Sequence, residues 1–448
     1  MNSKVFRLWA LSTIAVAMSL SMVLLIENVL ACTILAVVYV AICVWFVRAN
    51  IFHPMAWFLV AILFYHYSLP VLHVLDVRTM YAGSDILLIS WTGLVISSLI
   101  ILAFERDGSI GQNPLKFARI TNKVLWSLFL VSTALMVVLN IAFVNAGFGG
   151  KRDASLAGFN VWVSFSRWFL LYYAILLIRM TNRKVRFPLR FVIPCVGIAL
   201  LTALNIGERD VFFGFALVTL FIYFERYRPS KIMMAGLLVG LALLIPILGA
   251  AKNIFVREVG SSSAQDGNIV ISLLDGEFRS ASYNLDTIVS RSSEWDYFMG
   301  ETVLWAIGRS VVPAFIYSGQ NAVGWYNENF HPEVLDVGGG YGFSYAAEGF
   351  INFGYLGVGV WFAFLSGLIV FFYNKRRRSD CWWAVYCVAV PLFIYVLRAD
   401  LSNFLSPMIK GVAIPLAFAS MVSFYRRGAQ QRRTMSSVTA PNTGKELS

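Results

Sequence analysis

Residues 29–47 read VLACTILAVVYVAICVWFV, nineteen positions with neither a charge nor a proline. Wound as a helix they rise about 28 Å, close to the ~30 Å hydrocarbon core of a bilayer. The stretch therefore predicts a membrane-spanning helix. Just before it, Lys4 and Arg7 lead into a second apolar run at 8–26, and only Glu27 and Asn28 part the two. A charged start and an apolar stretch resemble a signal peptide, but an immediate second run predicts a helical hairpin that is kept. Val29 to Cys32 make a poor lipidation box inside that second run, so no cleavage is expected.

Further apolar runs follow near 53–75, 86–104, 124–146, 159–178, 191–206, 211–224, 232–251, 350–373, 382–397 and 403–425. The expected fold is an all-α polytopic membrane protein of about twelve transmembrane helices. Helices one to nine would occupy 1–251, a large periplasmic loop 252–346, helices ten to twelve 347–427, and a disordered cytoplasmic tail 428–448. Composition agrees: of 448 residues, 58% are hydrophobic and 13% charged, about half the charged share of a soluble domain. A water-soluble globular fold is ruled out.

The 36 Lys and Arg against 24 Asp and Glu leave a formal charge of +12. In a soluble protein that excess would suggest nucleic acid; here the basic residues gather in short clusters between apolar runs, such as Lys375 to Arg378. With the N-terminus inside, the cytoplasmic segments hold 24 basic and 5 acidic residues and the other side 12 and 19. The positive-inside rule then places both termini in the cytoplasm and the long loop outside it, which in a bacterium means the inner membrane and the periplasm. No nucleic-acid partner is implied. The five cysteines, Cys32, Cys43, Cys195, Cys381 and Cys387, lie in or beside apolar runs, with neither a disulfide framework nor a zinc spacing.

Within the long loop, 298–318 is apolar but interrupted by Glu301, Arg309 and Pro313. It is too broken to span, and an interfacial or re-entrant helix is expected. The segment 257–268 reads as a mobile loop.

Charges at the outer helix ends are candidates for chemistry. Runs 191–206 and 211–224 are short, about 21 to 24 Å, so the turn Asn205-Ile206-Gly207-Glu208-Arg209-Asp210 between them should sit below the membrane surface. A charge there must be paired or bind something, and the Arg209 fork suits phosphate; the alternative is a turn neutralised by Glu208 or Asp210. Arg398, Asp400 and Lys410 repeat the pattern between the last two spans, either as a structural ion pair or as a site. Residues 338–357, GGGYGFSYAAEGFINFGYLG, turn a glycine-rich loop into a helix with Glu348 near its start. That carboxylate is either a partner of the helix dipole or a base in apolar surroundings.

The glycine-rich approach, Ser344, Ala347-Glu348 and Asn352-Phe353-Gly354 resemble the C-terminal pattern of bacterial oligosaccharide repeat-unit polymerases, the Wzy-type O-antigen polymerases. The Asn205 to Arg209 turn and the large loop fit the same family, over about 190–375 by motif. Many members carry a Pro-Arg and then a Lys-Pro in the long loop, whereas Val312-Pro313-Ala314 is followed here by Gly319-Gln320-Asn321. Any role of that basic pair is not carried over.

The resemblance implies a GT-C-like, lipid-dependent glycosyltransferase that joins undecaprenyl-pyrophosphate-linked oligosaccharides, with no cofactor and no metal, among membrane lipids and with a chain-length regulator as a further partner. Such chemistry needs a cationic grip on a departing pyrophosphate and a base for the acceptor hydroxyl. Arg209, Arg279 and Arg309 are the expected clamp, and Glu348 or His331 the base. Arg398 and Arg152, the latter in the basic island Lys151-Arg152-Asp153, are further phosphate candidates. Asp275 and Glu277 suggest an acidic metal pair only superficially, since the first outer loop is Glu27-Asn28 alone. Trp325, Tyr326, Phe330, Tyr341 and Tyr345 either stack on sugars or form an interfacial belt. His66, Pro70 and His73 are read as packing or groove lining. An O-antigen ligase and a non-enzymatic flippase for lipid-linked oligosaccharides are the rival readings.

Overall fold

The structure, a computed structural model, describes residues 3–48, 50–106, 120–146, 161–183, 186–206, 209–230, 232–234, 236–237, 240, 271, 274–312, 316, 319–336 and 340–438. Among these, the regular structure is entirely helical. The N-terminal half holds α1 (Ser3–Leu24), α2 (Val29–Phe46), α3 (Pro54–Val74), α4 (Ser84–Phe104), α5 (Asn122–Asn145), α6 (Val161–Arg183), α7 (Leu189–Ile206) and α8 (Arg209–Tyr227). After these come α9 (Arg279–Ser290), α10 (Glu301–Val311), α11 (Ala322–Phe330) and α12 (Pro332–Asp336). The chain closes with α13 (Tyr345–Lys375), α14 (Asp380–Val396), α15 (Ser402–Met408) and α16 (Ile414–Val438).

Starts follow local capping chemistry. Asn28 accepts from the Ala31 amide, and His53 Nδ1 from the Met55 amide ahead of Pro54, so the orphan N–H groups of α2 and α3 are met. The Asn28 cap closes the four-residue turn 25–28 of the first hairpin. Pro70 lies inside α3 and has no N–H for the His66 carbonyl, which takes the Ser90 hydroxyl instead at 3.5 Å. His66 is fully buried against Phe362, as expected of a packing residue.

Seven helices are long and apolar enough to cross a membrane: Lys4–Leu24, Val29–Phe46, Pro54–Val74, Ser84–Phe104, Asn122–Asn145, Tyr345–Lys375 and Ser402–Arg426. Leu189–Asn205 and Asp380–Val396 are shorter apolar helices. The chain is a multi-pass membrane protein, but seven described helices, not twelve, meet the length and apolarity of a span. The expected run at 232–251 lies almost wholly outside the described residues, and α6 carries Arg167, Arg179 and Arg183 in its length. The last helix continues to Val438, into the stretch expected as a tail.

Among the described residues two large apolar cores form, with a small cluster of Ala203 and Phe212 beside them. One joins α1 to α4 with α9, α10, α11, α13, the end of α14 and α15; the other joins α5 to α8 with α14 and the start of α16. At one end of the bundle Lys4 Nζ donates to the Ala103 and Glu105 carbonyls, and His53 meets Glu105 at 3.1 Å. The segment 274–345 docks at the other end. There the Ser282 hydroxyl bonds Ser68 and accepts from the Leu69 amide, while Asp286 accepts from the Tyr81 and Ala82 amides.

The largest departure from expectation is inside α13. Phe353 and Gly354 leave helical geometry, Gly354 with φ of +59°, a conformation that only glycine adopts without strain. Tyr345 Oη reaches the Trp361 carbonyl at 3.0 Å, and Gly349 lies against Gly357 so closely that a Cβ on Gly357 would stand 2.0 Å from the Gly349 oxygen. Both pairs are symmetric about residue 353. Residues 345–352 are thus a half-helix about 12 Å long folded back antiparallel on the helix that follows. The expected single run from 350 is a hairpin, and Glu348 sits inside the protein on its short arm.

α10 is eleven residues long, about 17 Å, too short to cross a bilayer. Thr302, Ala306 and Ser310 face inward, while Leu304, Ile307 and Val311 are exposed. An outward apolar face beside a protein-facing small-residue face suits an interfacial helix.

Candidate functional site

The segment 340–344 organises the loop end of the bundle. Asn327 is buried and reads Tyr341 twice, accepting from its amide at 2.7 Å and donating to its carbonyl at 3.1 Å. Asn284 Nδ2 donates to the Gly342 carbonyl at 2.7 Å, and the Phe343 amide donates to the Arg398 carbonyl at 2.9 Å. A Cβ on Gly342 would stand 3.1 Å from that carbonyl and 3.6 Å from Ser280 Oγ. The Arg398 carbonyl leaves little room for a Cβ at 342, while the Ser280 side chain, next to Arg279, lies at ordinary contact distance. Ser344 then caps the half-helix by accepting from the Ala347 amide.

His331 closes α11 and stands on this segment. Its ring lies 4.5 Å from the Tyr341 ring, Nε2 is 3.0 Å from Tyr326 Oη and Nδ1 is 3.4 Å from a Glu333 oxygen. The Asn284 amide fixes the proton arrangement. Its nitrogen is committed to Gly342, so its oxygen accepts the Tyr326 hydroxyl at 2.9 Å. Burial pushes the Tyr326 hydroxyl above its ordinary pKa and keeps that proton in place. Tyr326 Oη is then placed to accept from His331 Nε2–H, and His331 Nδ1 faces the Glu333 carboxylate.

Glu348 is differently situated. It is 1% exposed, and its Oε2 accepts from the Leu401 amide at 2.6 Å. Next to it Asn352 donates to the Glu348 carbonyl at 2.7 Å and to Thr302 Oγ1 at 2.8 Å, and accepts from the Gly300 amide at 2.8 Å. These bonds lock the half-helix to the turn after α14 and to the start of α10. Asp400 locks the same turn from the other side: it is 1% exposed and accepts from Ser402, Asn403, Asn321 and the Val323 amide. A carboxylate with this many donors needs no counter-cation, and Lys410 is held elsewhere.

The arginines fall into two groups. Arg279 bonds Asp275 at 3.1 Å, an acid that Arg78 also grips with two bonds of 2.9 Å. The Arg78 hydrogen bonds and the Arg279 charge hold the Asp275 carboxyl below its ordinary range. Asp275 is therefore an ion-pair partner with two guanidinium groups, and the Glu277 side chain lies outside the described residues. Arg398 lies over the Tyr395 ring at 5.1 Å. The Arg398 carbonyl and the Ser280 side chain, next in sequence to Arg279, thus meet Gly342, beside the Tyr341 ring on which His331 stands.

Arg309 belongs to a second corner. Its side chain is exposed, and its carbonyl accepts from Lys410 Nζ at 2.7 Å. Arg209 begins α8, but its side chain, Glu208 and the whole of Lys151 to Asp153, with Arg152, lie outside the described residues. α7 and α8 have 18 and 19 residues, about 27 and 29 Å, longer than the apolar runs within them; Gly207 and Glu208 between them lie outside the described residues. Asp210 meets Arg167 Nη2 at 3.6 Å, a residue that sequence reasoning passed over because it is a lone charge in an aromatic run.

Of the aromatic candidates, Tyr326 and Tyr345 are fully buried and Trp325 is 8% exposed. They are core. Tyr341, 41% exposed, remains open to a sugar face. Among the described residues no group of three or more His, Cys, Asp or Glu side chains could hold a metal ion.

Comparison with known proteins gives one match. A family model described as O-antigen polysaccharide polymerase Wzy fits residues 8–426. No curated protein matches, and no solved structure does.

Proposed function

The chain belongs to the O-antigen polysaccharide polymerase Wzy family, and from that membership we propose that it joins undecaprenyl-pyrophosphate-linked repeat units at the periplasmic face of the inner membrane. The growing glycan on one lipid is transferred to the terminal sugar hydroxyl of a new lipid-linked unit. The bond between the anomeric carbon and the pyrophosphate oxygen breaks, a glycosidic C–O bond forms, and undecaprenyl pyrophosphate leaves. The acceptor hydroxyl gives up one proton.

His331 is the better placed of the two base candidates, because its ring is partly open while Glu348 is buried and bonded to the Leu401 amide. Glu333 would stabilise the imidazolium that forms. Glu348 acts as a positioning residue that fixes the turn bearing Arg398. Arg279 and Arg398 would hold the leaving pyrophosphate as its charge grows. Tyr341 offers a ring for the sugar beside it.

The observation that carries the reading is the family match over nearly the whole chain. The surface glycan of a strain lacking this gene tests it. Core capped with a single repeat unit is the expected profile. Loss of all capped core would indicate a ligase, and absence of any repeat unit outside the cell a flippase.

A further inference from the structure

The tip of the α13 hairpin presents a group of aromatic side chains that the reaction as described leaves unused. Phe350, on the short arm, is buried and is met edge-on by Trp295 at 6.2 Å, Tyr297 at 6.4 Å and Tyr355 at 5.6 Å. The two tyrosines reach the surface, with 47% and 48% exposure. Tyr297 Oη lies against the tip, 3.4 Å from where a Cβ on Gly354 would stand. Tyr355, the next residue, turns its hydroxyl to the carboxylate of Asp85 in the first turn of α4.

The backbone behind Tyr297 is held in an uncommon form. Met299 has a φ of +49°, which its side chain disfavours, and Gly300 follows at +94°. Bonds from the Phe298 amide to the Ile351 carbonyl at 2.9 Å and from the Gly300 amide to Asn352 keep this turn on the short arm. Strained residues of this kind gather where a ligand is gripped, and this one stands two positions from Tyr297.

Charge separates the possible occupants. The segments that meet here, 79–104, 292–308 and 344–374, contain no lysine or arginine, while Asp296 and Glu301 are exposed beside the tyrosines in sequence. Such a surface disfavours a phosphate group, whether on a lipid headgroup or on a pyrophosphate. Sugar rings suit it: their C–H faces stack on tyrosine rings and their hydroxyls donate to a carboxylate.

We propose that Tyr297, Tyr355 and Asp85 form a subsite for uncharged sugar residues, which keeps hold of the growing glycan between additions. The proposal rests on the polymerase reading, and the chemistry of that reaction explains the need. In each cycle the glycan is transferred to a new lipid carrier, so the pyrophosphate it ends on is different every time and only its sugars persist. A grip on sugars therefore survives the exchange, whereas a grip on pyrophosphate does not. Contacts from Trp295 through Trp325, Phe330 and Tyr326 to His331 make the subsite part of the same packed unit as the first site.

The delipidated surface polysaccharide of the parent strain, titrated calorimetrically into the full chain in phosphatidylcholine nanodiscs, tests the proposal. Wild type should bind it, Y297A/Y355A at least tenfold more weakly, and D85N, which keeps both rings, at least threefold more weakly at an unchanged melting temperature. At normal membrane abundance the same variants should still make polymer, with the most abundant length shifted to fewer units. If Y297A/Y355A melts early, D85N decides. No binding by wild type, as expected if the rings only anchor in lipid, would overturn the proposal, as would wild-type affinity or wild-type chain length in D85N. The titration needs no synthesis, so it can succeed where the glycan profile of the gene-deficient strain refutes the polymerase reading, and fail where that profile supports it.

Discussion

Replacing Gly357 with alanine strikes the contact on which the site geometry depends. A Cβ at 357 would stand 2.0 Å from the Gly349 carbonyl oxygen and 2.9 Å from its carbon. Both are backbone atoms of the facing half-helix, so no side chain can swing away, and the two arms must part by roughly 1 Å. Overpacking of this kind costs about 1 to 3 kcal/mol. Glu348 moves with Gly349, and the bond from the Leu401 amide to Oε2 at 2.6 Å is stretched, worth about 0.5 to 1.5 kcal/mol. Against this, alanine gains about 1 kcal/mol over glycine in a helix, leaving a net loss of about 0.5 to 3.5 kcal/mol. Gly359 and Gly367 lie in the same helix with nothing within 4 Å of the added carbon, so alanine at either should be neutral or slightly stabilising. Membrane abundance, thermal melting in detergent and the glycan ladder measured side by side on the three variants make the comparison. If Gly357→Ala melts and polymerises like Gly359→Ala, the hairpin at Phe353-Gly354 is wrong.

Other expectations separate the roles of neighbouring residues. His331→Gln should reach the membrane at normal levels with polymer reduced by two or more decades, whereas Glu348→Gln should lower abundance in step with polymer; the opposite pattern would exchange their roles. Arg398→Lys keeps the charge and loses the fork, and Arg398→Ala loses both, so polymer per folded molecule should fall in the order wild type, Lys, Ala, by about 2 to 4 kcal/mol in the barrier at the end of the series. Asp275 has a lowered folded pKa, so its contribution to stability is present above the unfolded value near 4 and is lost as pH falls through the folded one. The gap in melting temperature between wild type and Asp275→Asn should be full at pH 7 and close below about pH 4; a gap constant over that range would show that the Arg78 and Arg279 pairing is not its source.

Most helices could be read from hydropathy because apolar length is what a bilayer selects. The runs 29–47, 53–75 and 86–104 coincide with α2, α3 and α4 to within a residue or two. The α13 hairpin escaped that reading because nothing polar interrupts 349–358 except Asn352; the signal that could have revealed it is the spacing of Gly349, Gly354 and Gly357 around one turn. The docking of His331 and of the Arg398 backbone on residues 341–343 was not legible either. It depends on Asn284, Asn327 and Tyr326, whose ordinary polar side chains acquire meaning only when the loop docks on α3. Lys410 stood out by its depth, but the π-turn Ile409–Ala413 that sets Gly411 against the Arg167 side chain is a tertiary effect with no local sequence code.

Reconstitution gives the most direct measurement of the central claim. The purified chain in liposomes, supplied only with undecaprenyl-pyrophosphate-linked repeat units and a chelator, should produce a ladder of glycans lengthening by one repeat unit per step and release undecaprenyl pyrophosphate in equal amount. Unchanged repeat units, or polymer formed only after manganese or magnesium is restored, would contradict the account.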